Sequence, residues 1–285
     1  YAIFWWAAEL LGIPAHRGYE GSLLRQPSTA DAVLAILAAA GLFALVTILI
    51  TLLARRHWHY VGLLAASAGL LAWSFRGGPI RYVLMAPNLT TLSTGVFYAL
   101  ALELLLLGAI IGVTWLLILP RLTGQRKPGA PLIEVPDMTV LQGILAQALL
   151  MAVLLALLVS TPEKKQALFG ALFSAFFATA LCQHYFHDER LARWYWLGPI
   201  LVGVVGYLLN GMTGDPREAA ATGQLVGTFS ALARPLPLDY ASAGVLGTLM
   251  GYWIGSEHPV EPMVPPPPSS SASAHKPQDG AESRV

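Results

Sequence analysis

The chain has 285 residues, 55% of them hydrophobic and 12% charged, about half the charged share of an ordinary soluble domain, which argues against a water-soluble globule. Lys plus Arg number 17 and Asp plus Glu 16, a formal charge of +1, so no basic face is left to hold DNA or RNA and nucleic acid is excluded as a partner. The one cysteine, Cys182, has no mate for an internal disulfide and no second thiol at metal-ligand spacing.

In chain order, Tyr1 to Ile13 is apolar and aromatic but too short to span, so residues 1–30 read as an interfacial segment ahead of the bundle. The chain opens on Tyr1 and not on Met, which puts any signal segment outside these residues. A span takes about 20 apolar residues at the helical rise. Ala32 to Ala54 meets that length without a charge, between Asp31 and Arg55-Arg56. Trp58 to Phe75 follows, and then Ser93 to Leu119, which holds a single charge, Glu103. Arg121 to Asp137, with its prolines and cations, reads as a solvated loop. The remaining spans are Val140 to Val159, Ala167 to Phe186, Trp194 to Leu209 and Tyr240 to Gly255. The expectation is an all-α, polytopic integral membrane helix bundle of about seven transmembrane helices over residues 31–255.

Residues 219–233 are only moderately apolar and are closed by Arg234-Pro235-Leu236-Pro237, which reads as a re-entrant or surface-lying segment and not as a further span. From 256 to 285 the run Pro265 to Pro268 and the serines after it have too little apolar surface to order, so a disordered Pro/Ser-rich tail is expected. Cations divide almost evenly between the two sides, and only the tight clusters Arg55-Arg56 and Arg121 to Lys127 favour an outside N-terminus. Trp58, Tyr60, Trp73, Trp194, Tyr195, Trp196, Tyr252 and Trp253 fall where an interfacial aromatic belt is expected.

Three features bear on chemistry. Glu103 is a carboxylate deep in an apolar helix, where an ionisable group costs a few kcal/mol and marks a site by default. It can relay protons, pair with a cation in transit, or accept a hydrogen bond that locks two helices together. No second acidic residue is read at comparable depth, which counts against an ion pump. His184, His187 and Asp188 share one face if the helix continues, and His57 and His59 belong on the same membrane side, so with Glu189 nearby these residues are the candidate metal or haem ligands. The third feature is a stripe of small residues: Gly244, Gly247, Gly251 and Gly255 in the last helix, and Gly108 and Gly112 in the third, mark helix-packing faces.

There is no Gly-x-Ser-x-Gly elbow and no lysine within a span to carry a retinal-type Schiff base. The sequence therefore favours a structural or accessory subunit of a membrane assembly over an enzyme. A small-solute or proton-coupled transporter using Glu103 is the alternative, and a metal- or haem-binding protein the third reading. Expected partners are the lipid bilayer and either other membrane subunits or a second copy of the chain. The low cysteine count and short loops point to a bacterial cytoplasmic membrane.

Overall fold

The computed structural model describes residues 4, 6, 22–24, 29–54, 60–80, 95–123, 135–186, 188–213 and 230–256. Among them stand seven principal helices and no strand. Helix α1 is Thr29–Ala54, α2 is Val61–Arg76, and α3 is Gly95–Leu122 with a π-helical turn at Thr114–Ile118. Helix α4 is Met138–Leu158, α5 is Lys164–Phe186 and α6 is Leu197–Thr213. Helix α7 runs unbroken from the short turn Pro237–Asp239 through a π-helical turn at Tyr240–Gly244 into Val245–Ser256. Four helices, α1, α3, α4 and α5, are long and apolar enough to cross a membrane, while α2 and α6 are shorter apolar helices. The protein is a multi-pass integral membrane helix bundle.

Neighbouring side chains fix the direction of each helix. Thr47 and Thr51 near the end of α1 lie against Gly62 at the start of α2, so the two form an antiparallel hairpin. Gln147 of α4 donates to Thr179 of α5 at 2.8 Å, and Val159 just after α4 lies over Gly170 near the start of α5. Ile200 and Trp196 sit on Gly108 and Gly112 of α3, and Tyr98 sits on Gly211, which sets α6 antiparallel to α3. The odd-numbered helices thus point one way and the even-numbered ones the other. We call the end where α1 begins the entry end, and the opposite end the exit end.

Helix α7 is the centre of the bundle. Every residue from Pro235 to Leu249 is buried, as expected of a helix that is apolar on all sides. It runs parallel to α5, with Leu172 over Gly247, Phe176 over Gly251 and Gln183 over Gly255. Lipid tails are as apolar as leucine, so close contact between small residues, and not the exclusion of water, holds such helices together. The outer surface is apolar too. On α4, Leu141, Leu145, Leu149, Val153 and Leu157 form an exposed ridge at four-residue spacing, and on α5 Phe169, Phe173 and Phe177 do the same.

The aromatic residues read as a belt divide differently from that expectation. Trp253 faces outward, but Tyr60, Trp73, Tyr195 and Trp196 are buried. Tyr60 packs on Trp115 and Tyr252, with ring centroids 5.4 and 5.6 Å apart, and Trp196 lies on Gly112. Ring-on-ring packing at the exit end outweighs the preference of these side chains for headgroups.

Asp137 caps α4, accepting from the Val140 amide at 2.9 Å, and an exposed ion pair joins it to Arg190. The Val140 bond, with Arg190 adding its charge, holds the Asp137 carboxyl below its ordinary range. A lowered folded-state pKa gives a contribution that is complete above the unfolded pKa, about 3.9, and is lost as pH falls through the folded value. Hydrogen exchange at Val140, corrected for the intrinsic rate, is therefore expected to lose protection in acid. Asp137→Asn should keep the cap and flatten that dependence. A pH response undiminished in the variant would assign it to another group.

Candidate functional site

Glu103 lies about 12 Å along α3 from its first residue, at the rise of an α-helix, and is fully buried. Among the described residues its carboxylate has three hydrogen-bond donors, none from another helix: the Ser22 hydroxyl, the Leu23 amide at 2.9 Å and the Leu24 amide at 3.2 Å. These bonds tie Glu103 to a non-helical segment and not, as the sequence reading had it for the hydrogen-bonded role, to a second helix. The same arm is fastened again at Phe4, which is buried. The Trp73 indole N–H donates to the Phe4 carbonyl, and the two rings meet edge to face at 6.0 Å. Gly69 leaves the space that the Phe4 ring fills.

A second buried carboxylate, which the sequence reading did not single out, stands in the first turn of α7. Asp239, at the entry end of α7, is fully buried. It accepts from the Ser74 hydroxyl of α2, from the Lys164 ammonium at the start of α5, and from the Leu236 amide at 2.8 Å. The Lys164 side chain keeps 12% of its exposure against 1% for Asp239, so the pair is almost dry. One carboxylate thereby ties α2, α5 and α7 together.

Between these two groups the backbone is irregular, and tyrosines hold it. Tyr207 of α6 donates to the Pro235 carbonyl and Tyr240 of α7 to the Leu232 carbonyl, their rings edge to face at 6.3 Å. Asn210 of α6 donates to the Ser230 hydroxyl at 2.8 Å and accepts from the Ser230 amide at 3.1 Å. Arg234 donates to the Val159 carbonyl at the end of α4. Non-helical backbone at membrane depth survives only where protein or a water-filled cavity satisfies it, and side chains of α6 and α7 do so here. Asn210 thereby sets Ser230 beside the entry end of α6.

The other predicted site residues fall elsewhere. His184 is exposed at the exit end, its ring 5.7 Å from that of Tyr185. Asp188 caps the 3-10 turn Glu189–Arg193 and accepts from the Arg190 guanidinium at 3.2 and 3.0 Å. His57, His59 and His187 lie outside the described residues, as do 219–229 of the expected re-entrant segment and 257–285 of the tail. Among the described residues no group of three or more metal-ligating side chains comes together. The glycine stripes pack within the chain: Gly247, Gly251 and Gly255 on α5, Gly244 on Pro199 of α6, and Gly108 and Gly112 on Ile200 and Trp196. No protein-family model, no curated protein and no solved structure matches the chain.

Proposed function

We propose that the chain is a structural or accessory subunit of a membrane assembly, seated in the bilayer beside other membrane subunits or a second copy of itself. A bacterial cytoplasmic membrane is the setting that its low cysteine count and short loops favour. The observation that carries this reading is the saturation of Glu103 by its own chain. The deepest charge acts as a fastening for the arm ahead of α1. Because the small-residue faces are used internally, contact with other chains falls to the outward ridges of α4 and α5.

Native mass spectrometry of protein extracted in mild detergent tests this proposal. The expected spectrum shows the chain bound to further chains; a bare single chain under every mild extraction overturns it. Glu103→Gln is expected to leave such an assembly intact while lowering thermal stability by about 1–3 kcal/mol. The amide keeps one acceptor but presents a donor where the carboxylate accepted from Ser22 and Leu24.

One observation favours the second reading, proton-coupled or small-solute transport. Glu103, buried in the apolar helix α3, is held by non-helical backbone, the kind of element from which transporters build their sites. Proteoliposomes in which Glu103→Gln leaves pH-driven flux unaltered would remove Glu103 from that role.

A further inference from the structure

We infer that Ser67 of α2, Thr248 of α7 and Trp115 of α3 line a site for bound water inside the bundle, between its middle and its exit end. The inference stands apart from both functional readings above. Ser67 and Thr248 are fully buried, and neither hydroxyl has a hydrogen-bond partner among the described residues. A hydroxyl within a helix can bond the carbonyl one turn back, as Thr47, Thr114 and Ser242 do here at 2.7, 2.8 and 2.6 Å. Ser67 and Thr248 forgo that bond, although a buried polar group left unpaired is costly and calls for a partner such as water.

Helix spacing places both hydroxyls in one seam. Helices α2 and α7 pack on one another antiparallel, from the bond between Ser74 and Asp239 at the entry end to the Tyr60 and Tyr252 rings at the exit end. Tyr60, Ser67 and Ser74 stand at two-turn intervals on one face of α2. The outer two meet α7, so Ser67 between them faces it as well. Thr248 lies one turn before Tyr252 on the same side of α7. Followed along the helices from either anchor, the two hydroxyls differ in depth by about 3–5 Å. They do not bond each other, and one or two waters span such a gap. Trp115 extends the site toward the exit end. Its ring lies 5.4 Å from that of Tyr60, and its buried indole N–H comes near the Tyr60 side chain without the alignment of a hydrogen bond. Two hydroxyls, each both donor and acceptor, and one N–H donor supply the polar partners that a buried water requires.

The test uses the full chain in lipid bilayers, with solid-state NMR polarisation transferred from water protons. Ser67 and Thr248 are expected to receive it several-fold faster than Thr47 and Ser242, which are equally buried but have bonded hydroxyls. The Trp115 indole N–H should exchange in deuterated water about tenfold faster or more than that of Trp73, which donates to the Phe4 carbonyl. Thr248→Val keeps the shape of the side chain and removes the hydroxyl. A hydrated Thr248 predicts a lower Tm in the variant and a weakened water signal at Ser67. A dry one predicts a higher Tm, because a stranded polar atom is gone. Transfer to Ser67 and Thr248 no faster than to the controls, a Trp115 indole as slow as that of Trp73, or a raised Tm overturns the proposal. So does an undiminished Ser67 signal in Thr248→Val, which would separate the two hydroxyls. Should the variant fail to fold, the transfer rates and indole exchange of the parent chain decide alone.

Discussion

Gly247→Ala is expected to disrupt the bundle, although it adds one methyl group. That carbon would fall well inside van der Waals contact of the Leu172 carbonyl oxygen, with the Phe176 amide nitrogen 3.1 Å away. Both are backbone atoms of α5, so no rotamer change relieves the clash and the helices must separate. Overpacking a well-filled core costs about 1–3 kcal/mol, occasionally more, and a backbone clash belongs at or above the top of that range. Gly41→Ala is the matched control, since nothing lies within 4 Å of its added carbon. It should be neutral or stabilising by up to about 1 kcal/mol through helix propensity. Thermal unfolding of the two variants in the same detergent checks the contrast. Equal stability would mean that α5 and α7 do not approach as closely as described.

The second large effect belongs to Asp239. Asp239→Ala strands the nearly dry Lys164 ammonium and removes the acceptor of Ser74 and of the Leu236 amide. Breaking a buried pair by deleting one partner costs about 3–5 kcal/mol, because the remaining charge is left uncompensated. The double variant Asp239→Asn with Lys164→Met removes both charges at once and should recover most of the loss. If the double variant were as unstable as Asp239→Ala, the penalty would lie in the Ser74 and Leu236 hydrogen bonds and not in the stranded cation. Thermal melts of the two variants and the parent protein decide between these outcomes.

The seven helices were legible because each is a charge-poor apolar run, and in four of them, α1, α3, α4 and α5, the run is long enough to cross a membrane. Glu103 stood out for the same reason, as a charge interrupting such a run. Asp239 did not. It stands one residue before Tyr240, where the apolar run of α7 begins, and only the fold shows that α7 starts two residues earlier, in the middle of the bundle. Its partners Ser74 and Lys164 are distant in sequence, so no spacing pattern announces the group. The partners of Glu103 were hidden likewise, because Ser22 and the Leu23 and Leu24 amides are about 80 residues away and two of the three donors are main chain. The glycine stripe could be read as a contact face, but its occupant could not: small residues permit close approach without naming what approaches. Tyr60 and Tyr195 were misplaced because composition at a helix end does not tell an inward-facing ring from an outward-facing one.

The position of α7 bears on how the molecule is made. Membrane helices are inserted in the order of translation and associate afterwards, and α7, which packs on α2, α3, α5 and α6, comes after all of them. Until α7 enters, Gly203 of α6 and the Leu172–Phe176 backbone of α5 have no α7 to pack against, and Ser74 and Lys164 await their shared carboxylate. Completion of the tertiary structure is therefore a single late event. A ribosome stalled before residue 237 would leave a half-assembled shell in the bilayer, a ready substrate for membrane quality-control proteases.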